Sequence, residues 1–373
     1  MLRFTTMCCL VLALTGCIEP TSPNFQLEDP FYLVEGDIAD QTGRSEVRIR
    51  RSNFRQVQLE FDPVTGATVL AEEGAGTQVQ WAPVPNEPGH YRPPADFRAA
   101  AGESWSLRVL FPDGTEAIST PELVPPPSAI TGLELEFDQA GRFDENRDRF
   151  VPVFRVLLSS ADRAGERNFY QWDYRYWEEI LVCLTCQESR YRNGRCEVDQ
   201  NVIPRNRETY DYLCDVEDGC YQETQGNRFL FVSDRTFDGG EVADNEIGDI
   251  VFTRLGGLLV EGTQYGLTAE AYEYGRTIND LIVGSSGLNA ALPATLQGNL
   301  QSANPDDPDV LGYVRAVSVT SERLYLDRTT DIGTPLERPR PINLEPFSGA
   351  APPPRAPCAG NGRSPQRPVG WPE

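Results

Sequence analysis

The sequence predicts a mainly β fold: two β-sandwich-like domains in tandem, the second with one α-helix at about residues 268–283. Three observations carry this. Residues alternate with a period of two in short runs: Val47 and Ile49 with Arg48 and Arg50, and Trp105, Leu107, Val109 and Phe111 with Ser106, Arg108 and Leu110. Such alternation marks half-buried strands. Turn signals recur between the runs at Gln41–Gly43, Asp62–Gly66, Pro88-Gly89, Ala101-Gly102 and Pro112–Gly114, as in a sandwich of short strands. A proline run, Val124-Pro-Pro-Pro-Ser128, then interrupts the pattern. Prolines cannot donate ladder hydrogen bonds and favour a stiff spacer. It sets the boundary between an N-terminal domain (30–124), a linker (125–128) and a second domain (129–332).

The chain opens with Arg3, a short apolar run and Leu14-Thr-Gly-Cys17. The run is too short for a spanning helix and reads as a cleaved signal. Residues 1–16 are expected to be a lipoprotein signal peptide. Cys17 is the expected lipidation site, and 17–29 the tether. About 355 residues then remain, enough for two domains. No later segment reaches the ~18 consecutive apolar residues of a spanning helix.

In the second domain Leu133, Leu135 and Phe137 alternate with Glu134 and Glu136. A stronger strand sets Tyr170, Trp172, Tyr174 and Tyr176 on one face and Gln171, Asp173 and Arg175 on the other. Further strand-like runs lie at Phe229–Val232, Asp249–Thr253, Gly312–Thr320 and Arg323–Asp327. For the helix, Thr268 is an N-cap, Glu270 suits the first turn, and Ala271, Tyr274, Ile278, Leu281 and Ile282 share a face. Gly284 is its stop, and Gly275 weakens it by about 1 kcal/mol. Residues 333–373 form a Pro/Gly-rich tail, pinned by Cys358 and Trp371.

Composition bounds function. Asp and Glu number 56 against 33 Lys and Arg, for a net charge of −23. Nucleic acid is excluded as a partner, since it needs a basic face. All the basic residues are arginine. Lysine nucleophiles are therefore absent, and arginine favours bidentate carboxylate pairs. An acidic, lysine-free chain fits salt adaptation; codon bias produces the same pattern.

Beyond Cys8, Cys9 and Cys17, six cysteines remain: Cys183, Cys186, Cys196, Cys214, Cys220 and Cys358. An even number in an exported protein argues for disulfides, with 15 pairings open. The pairing Cys186–Cys196 and Cys183–Cys214 nests within one excursion, 183–220, and Cys220–Cys358 ties down the tail. Cys183-Leu-Thr-Cys186 precedes a turn, whereas a redox CxxC starts a helix. The spacings do not repeat a zinc ribbon.

Several motifs in order resemble one family. Tyr32–Asp40 and Val47–Ser52 look like its opening strands; Gly66–Val69, Gly89-His-Tyr91, Gly102–Trp105 and Ser119–Pro121 follow its first domain. Phe169–Tyr174, Cys220-Tyr221, Glu270–Tyr274 and Leu311-Gly-Tyr313 match its second. This is the Bacteroidota-type lipoprotein family known as domain of unknown function 4249. The Gly-x-x-Val, Gly-x-Tyr, Gly-x-x-Trp order also resembles carboxypeptidase regulatory-like, transthyretin-like sandwiches. The cysteine-rich stretch 183–214 departs from the family pattern. The resemblance implies an outer-membrane, lipid-anchored protein accompanying a TonB-dependent receptor.

No motif places a nucleophile beside a base. His90, the sole histidine, reads as a turn residue. Asp144–Asp148 starts like a calcium loop but lacks its glycine, and Arg155 replaces its closing glutamate. Tyr170, Trp172, Tyr174, Tyr176 and Trp177 read as a core face rather than a sugar platform. No two carboxylates stand out as a hydrolytic pair. The expectation is a non-enzymatic binding or accessory component of an envelope complex, with no cofactor and no metal. A carboxylate-based surface hydrolase and a purely structural envelope protein are the alternatives. The contact surfaces expected are the turns Asp62–Gly66 and Pro85–Pro94 and the excursion Cys183–Cys220.

Overall fold

The computed structural model describes residues 30–55, 58–192, 194–197, 209–215, 219–226, 228–236, 238–284, 298–329, 332–336, 342–344, 358–360 and 362–372. Cys17, the signal and the tether lie outside them. The first half holds β1 (Tyr32–Ala39), β2 (Glu46–Arg55), β3 (Gln58–Pro63), β4 (Thr68–Glu73), β5 (Gln78–Pro83), β6 (His90–Arg92), β7 (Ser104–Leu110), β8 (Glu116–Ser119) and β9 (Glu122–Leu123). Then follow β10 (Ile130–Asp144), β11 (Arg149–Asp162), β12 (Phe169–Glu179), β13 (Val182–Cys186), β14 (Arg190–Arg192), β15 (Arg195–Glu197), β16 (Tyr210–Asp215), β17 (Tyr221–Gln225), β18 (Leu230–Ser233), β19 (Gly240–Val251) and β20 (Gly257–Leu267). The helix α1 (Ala269–Gly284) precedes β21 (Leu300–Ser302), β22 (Val310–Asp327) and β23 (Arg363–Ser364).

The protein is mainly β, with one helix among the described residues. Thr268 caps the helix as expected: its Oγ1 accepts from the Ala271 amide at 3.2 Å. Most strands join one large sheet, ordered β21-β8-β7-β4-β5-β6-β2-β1-β22-β20-β12-β17-β23. A second sheet, β10-β11-β19, covers part of it. Between them lies an aromatic core that includes Tyr170, Trp172, Tyr174, Phe154 and Phe252. The aromatic stripe of β12 is therefore core.

β22 serves both halves. Its first part pairs in parallel with β1, from Tyr32↔Val310 to Ala39↔Val317. Its second part pairs antiparallel with β20, from Gly266↔Ser318 to Gly257↔Asp327. Val310, Val314 and Ala316 complete the N-terminal core around Val34, Ile49, Trp81 and Leu107. Gly312 makes this close junction feasible: its φ is +110°, and a Cβ there would lie 2.0 Å from the Val34 carbonyl oxygen. The proline run joins the halves and is fastened at both ends. Val124 is buried, and the Ser128 carbonyl accepts from Gln264 Nε2 and Thr320 Oγ1, each at 2.9 Å.

The six cysteines form Cys183–Cys214, Cys186–Cys196 and Cys220–Cys358. The first two staple the excursion, where Cys186, Tyr210 and Tyr212 make a small core of their own. The third fastens the tail. Nearby, β23 pairs with β17, and Trp371 packs edge-on against Tyr221 and Tyr325 at 5.0 and 5.2 Å.

Candidate functional site

One face of the β2-β1-β22-β20-β12 stretch is polar, and it is roofed by α1 and β18. Strand alternation puts Glu46 and Arg48 of β2, Glu35 and Asp37 of β1, Tyr313 and Arg315 of β22, Tyr265 of β20 and Gln171 and Asp173 of β12 on this face. Registers align them: Asp37 stands opposite Arg315, Glu35 opposite Tyr313, and Gln171 opposite Tyr265. The result is a cleft of about 450 Å³. Tyr274, Gly275, Ile278, Asn279 and Ile282 of the helix and Phe229 and Phe231 form its other wall.

The helix face read from sequence divides between core and cleft. The side that enters the core is Ala271 and Tyr272. Tyr274, Ile278 and Ile282 line the cleft, and Ile282 is 68% exposed. Their apolar character serves a cavity wall, which a hydrophobic stripe cannot distinguish from a core contact. Gly275 also has a positive reason. A Cβ there would come within 2.6 Å of the Phe231 ring, so the glycine lets helix and aromatic wall meet.

The floor is held by ion pairs. Arg315 grips Asp37 in bidentate fashion, Nε to Oδ1 at 2.6 Å and Nη2 to Oδ2 at 2.8 Å, and its Nη1 donates to Gln171 at 2.5 Å. Beside it, buried Glu261 accepts from Arg44 at 2.6 Å, Arg175 at 2.9 Å and Arg323 at 2.6 Å. Burial alone would raise the Glu261 pKa, but Arg44, Arg175 and Arg323 outweigh it and hold the carboxyl below the usual range. Glu35 pairs with Arg50. Glu46 takes His90 Nδ1 at 2.6 Å and also Arg92.

Asp173 differs from these carboxylates. It is 7% exposed and lines the cleft, yet among the described residues no hydrogen bond reaches its carboxyl. Burial pushes its pKa up to about 7, against the lowering influence of Arg315, Arg44 and Arg175 and with the raising influence of Asp37. Behind the cleft, Glu122 is buried, accepting from Tyr313 at 2.5 Å and from the capping Thr268 at 2.6 Å. Burial raises its pKa despite these bonds.

The other residues singled out from sequence fall elsewhere. His90 lies with Glu46 and Glu87 in a group whose ligand atoms are within 4.8 Å of one another. Arg92 occupies the same two carboxylates, so that cluster already holds its counter-charge. Asp144 caps a hairpin turn, accepting from the Asn146 and Arg147 amides, and Arg155 pairs with Asp138 at 2.6 Å. The six described cysteines lie in disulfides, and none lines the cleft.

The chain belongs to the family described as Domain of unknown function (DUF4249), whose model matches residues 18–323. No curated protein matches it. Sequence reasoning did not select the cleft's Asp37, Arg44, Asp173, Tyr265 or Arg315. The signal present was Gln171-x-Asp173-x-Arg175 interleaved with four aromatics, which resembles an ordinary solvated strand face until the opposite wall is known.

The chemistry of the cleft is that of carboxylates, guanidiniums, amides and tyrosines. Its described lining contains no serine, threonine, cysteine or histidine to act as a nucleophile or an imidazole base. Glycoside hydrolysis needs two cooperating carboxyls. Here Glu35, Asp37 and Glu46 are each committed to arginine, leaving Asp173.

Proposed function

We propose that this protein is a lipid-anchored outer-membrane component that binds a ligand or partner segment in the seam cleft and catalyses no reaction. The observation that carries the reading is Asp173: a buried carboxyl facing a cavity without a hydrogen-bond partner among the described residues. Burying such a group is unfavourable unless something pairs with it, and unpaired groups with perturbed pKa values in clefts mark functional sites. The rigid walls supplied by β1, β22 and α1 favour preorganised binding. Leu14-Thr-Gly-Cys17 supports the anchor,. The resemblance of DUF4249 members to companions of TonB-dependent receptors supports such a receptor as the partner.

The test is cross-linking and capture of the tagged full chain from outer membranes, beside Cys17→Ser and Ile278→Trp. The wild type should recover a TonB-dependent receptor. Cys17→Ser should appear in the soluble fraction without palmitate label, and Ile278→Trp, which fills the cleft, should lose the receptor. Membrane retention and labelling of Cys17→Ser would overturn the anchor. Undiminished capture by Ile278→Trp would overturn the role of the cleft.

A further inference from the structure

Resting on the reading of the cleft as a binding site, we infer that it takes an organic cation: an ammonium group seated on Asp173, with an aromatic or branched apolar body against Phe231, Tyr274 and Ile278. The first ground is an unmatched charge. Arg315 spends its donors on Asp37 and Gln171. Arg44 is engaged by Glu261 and Ser321, and Arg175 by Glu261 and Glu223. Each of these three cations, the ones that act on Asp173, is thus fixed on another acceptor. A ligand cation would supply what the carboxylate lacks, and a charge-assisted hydrogen bond is about twice as strong as a neutral one.

The second ground is the lining. Four carboxylates, Glu35, Asp37, Glu46 and Asp173, face three guanidiniums, Arg44, Arg48 and Arg315. Glu35, Asp37 and Glu46 carry their own arginines, Arg50, Arg315 and Arg92, so the preference for a cation rests on Asp173, in a chain whose net charge of −23 draws cations,. Aromatic faces add to this. Tyr265, Tyr274, Phe231 and Tyr313 all line the cavity, and their negative quadrupole faces favour a cation over a neutral donor. The Tyr265 ring already carries Arg315 at 5.7 Å, so the cavity accommodates a cation against an aromatic ring. The third ground is shape. Tyr274, Ile278 and Phe231 give an apolar wall across from the charged floor, matching a ligand charged at one end and apolar at the other.

The ammonium has two sources, a free amine and a lysine side chain of a partner protein. The chain itself has no lysine, so neither its own segments nor a second copy supplies a lysine side chain.

The experiment is titration calorimetry on the purified full chain with four probes: 2-phenylethylammonium, 2-phenylethanol, 3-phenylpropanoate and an acetylated, amidated Phe-Lys dipeptide. The ammonium should bind at least tenfold more tightly than the alcohol, and the carboxylate more weakly still. Asp173→Asn should erase the preference for ammonium over alcohol while keeping the wild-type circular dichroism. Glu145→Gln, an exposed carboxylate elsewhere, should change nothing. Tighter binding of the dipeptide than of the free amine identifies a lysine side chain as the source; the reverse identifies a free amine. Equal binding of alcohol and ammonium, tighter binding of the carboxylate, or a preference that survives Asp173→Asn would each overturn the inference. If an uncharged or anionic probe binds and Ile278→Trp abolishes it, the cleft remains a binding site and only the cation is wrong. If no probe binds, the cation inference falls; if Ile278→Trp also leaves receptor capture intact, the reading of the cleft as a binding site falls with it.

Discussion

The two faces of β12 bury comparable amounts of side chain by opposite means. On one face Tyr170, Trp172 and Tyr174 enter a dry aromatic core, where Trp172 Nε1 donates to Gln264 at 2.8 Å. On the other, Gln171 and Asp173 are 6% and 7% exposed, and Arg175 sits on Glu261. Period-two alternation normally separates a buried face from a wet one. Here it separates an apolar interior from a polar one. Polar residues on a strand covered on both sides must be hydrogen-bonded, ion-paired or held for a ligand. Gln171 and Arg175 meet the first two conditions, and Asp173 is left for the third.

The comparison is most severely tested on the dry face. Trp172→Ala should cost about 4–5 kcal/mol, the upper range for truncating a buried aromatic, measured by urea unfolding. A loss under about 1 kcal/mol would mean that this face is not a packed core. On the charged face, Glu261→Gln should cost about 3 kcal/mol, at the low end for breaking a buried pair, because its three arginines remain 23–30% exposed. The sign with pH follows from the depressed pKa of Glu261. The difference from wild type should be full at neutral pH, above the unfolded-state value, and vanish as pH falls through the folded-state one. A pH-independent difference would point to packing rather than charge.

Much of the fold was legible because strands and caps leave local marks. The strand of aromatics, the Thr268 cap, the pinned tail and the nested cysteine pairs each rest on neighbours in sequence or on a topological constraint. The sharing of β22 was not legible. Nothing local in Val310–Asp327 says that its first part pairs with β1, some 280 residues earlier, and its second with β20. The cleft was hidden for the same reason, since it exists only once that pairing brings Asp37 and Arg315 together. Alternation placed Asp173 on the correct face of its strand but could not show that α1 and β18 cover it.

Asp173→Asn should move stability the other way. Its pKa rises to about 7 from 3.8 because burial disfavours the charge, with Arg315, Arg44, Asp37 and Arg175 as the charged neighbours. The folded state therefore binds the proton more tightly, and wild-type stability falls as pH rises from about 4 to 7. Above that window the variant should be more stable by about 2–4 kcal/mol, measured by urea unfolding at pH 8, and near pH 4 the two should converge. Destabilisation at pH 8 would mean that the carboxylate already has a good partner, removing the contrast between the two faces.

The smallest expected effect lies at the roof. Gly275→Ala should gain about 1 kcal/mol in helix propensity, yet its methyl would fall 2.6 Å from Cε1 and 2.7 Å from Cζ of Phe231. Such a contact forces the ring aside, and overpacking of this kind costs about 1–3 kcal/mol. The Phe231 ring is half-buried on a four-residue strand, so it can yield more readily than a side chain in the aromatic core. A net loss of about 1 kcal/mol is expected, with weaker probe binding because the displaced ring lines the cleft. Gly275→Val, bulkier and stiffer at χ1, should enlarge both effects. If alanine instead stabilises the protein and leaves binding unchanged, α1 and β18 do not meet closely at this point. The polar face of β12 would then open to solvent more than its covered residues indicate.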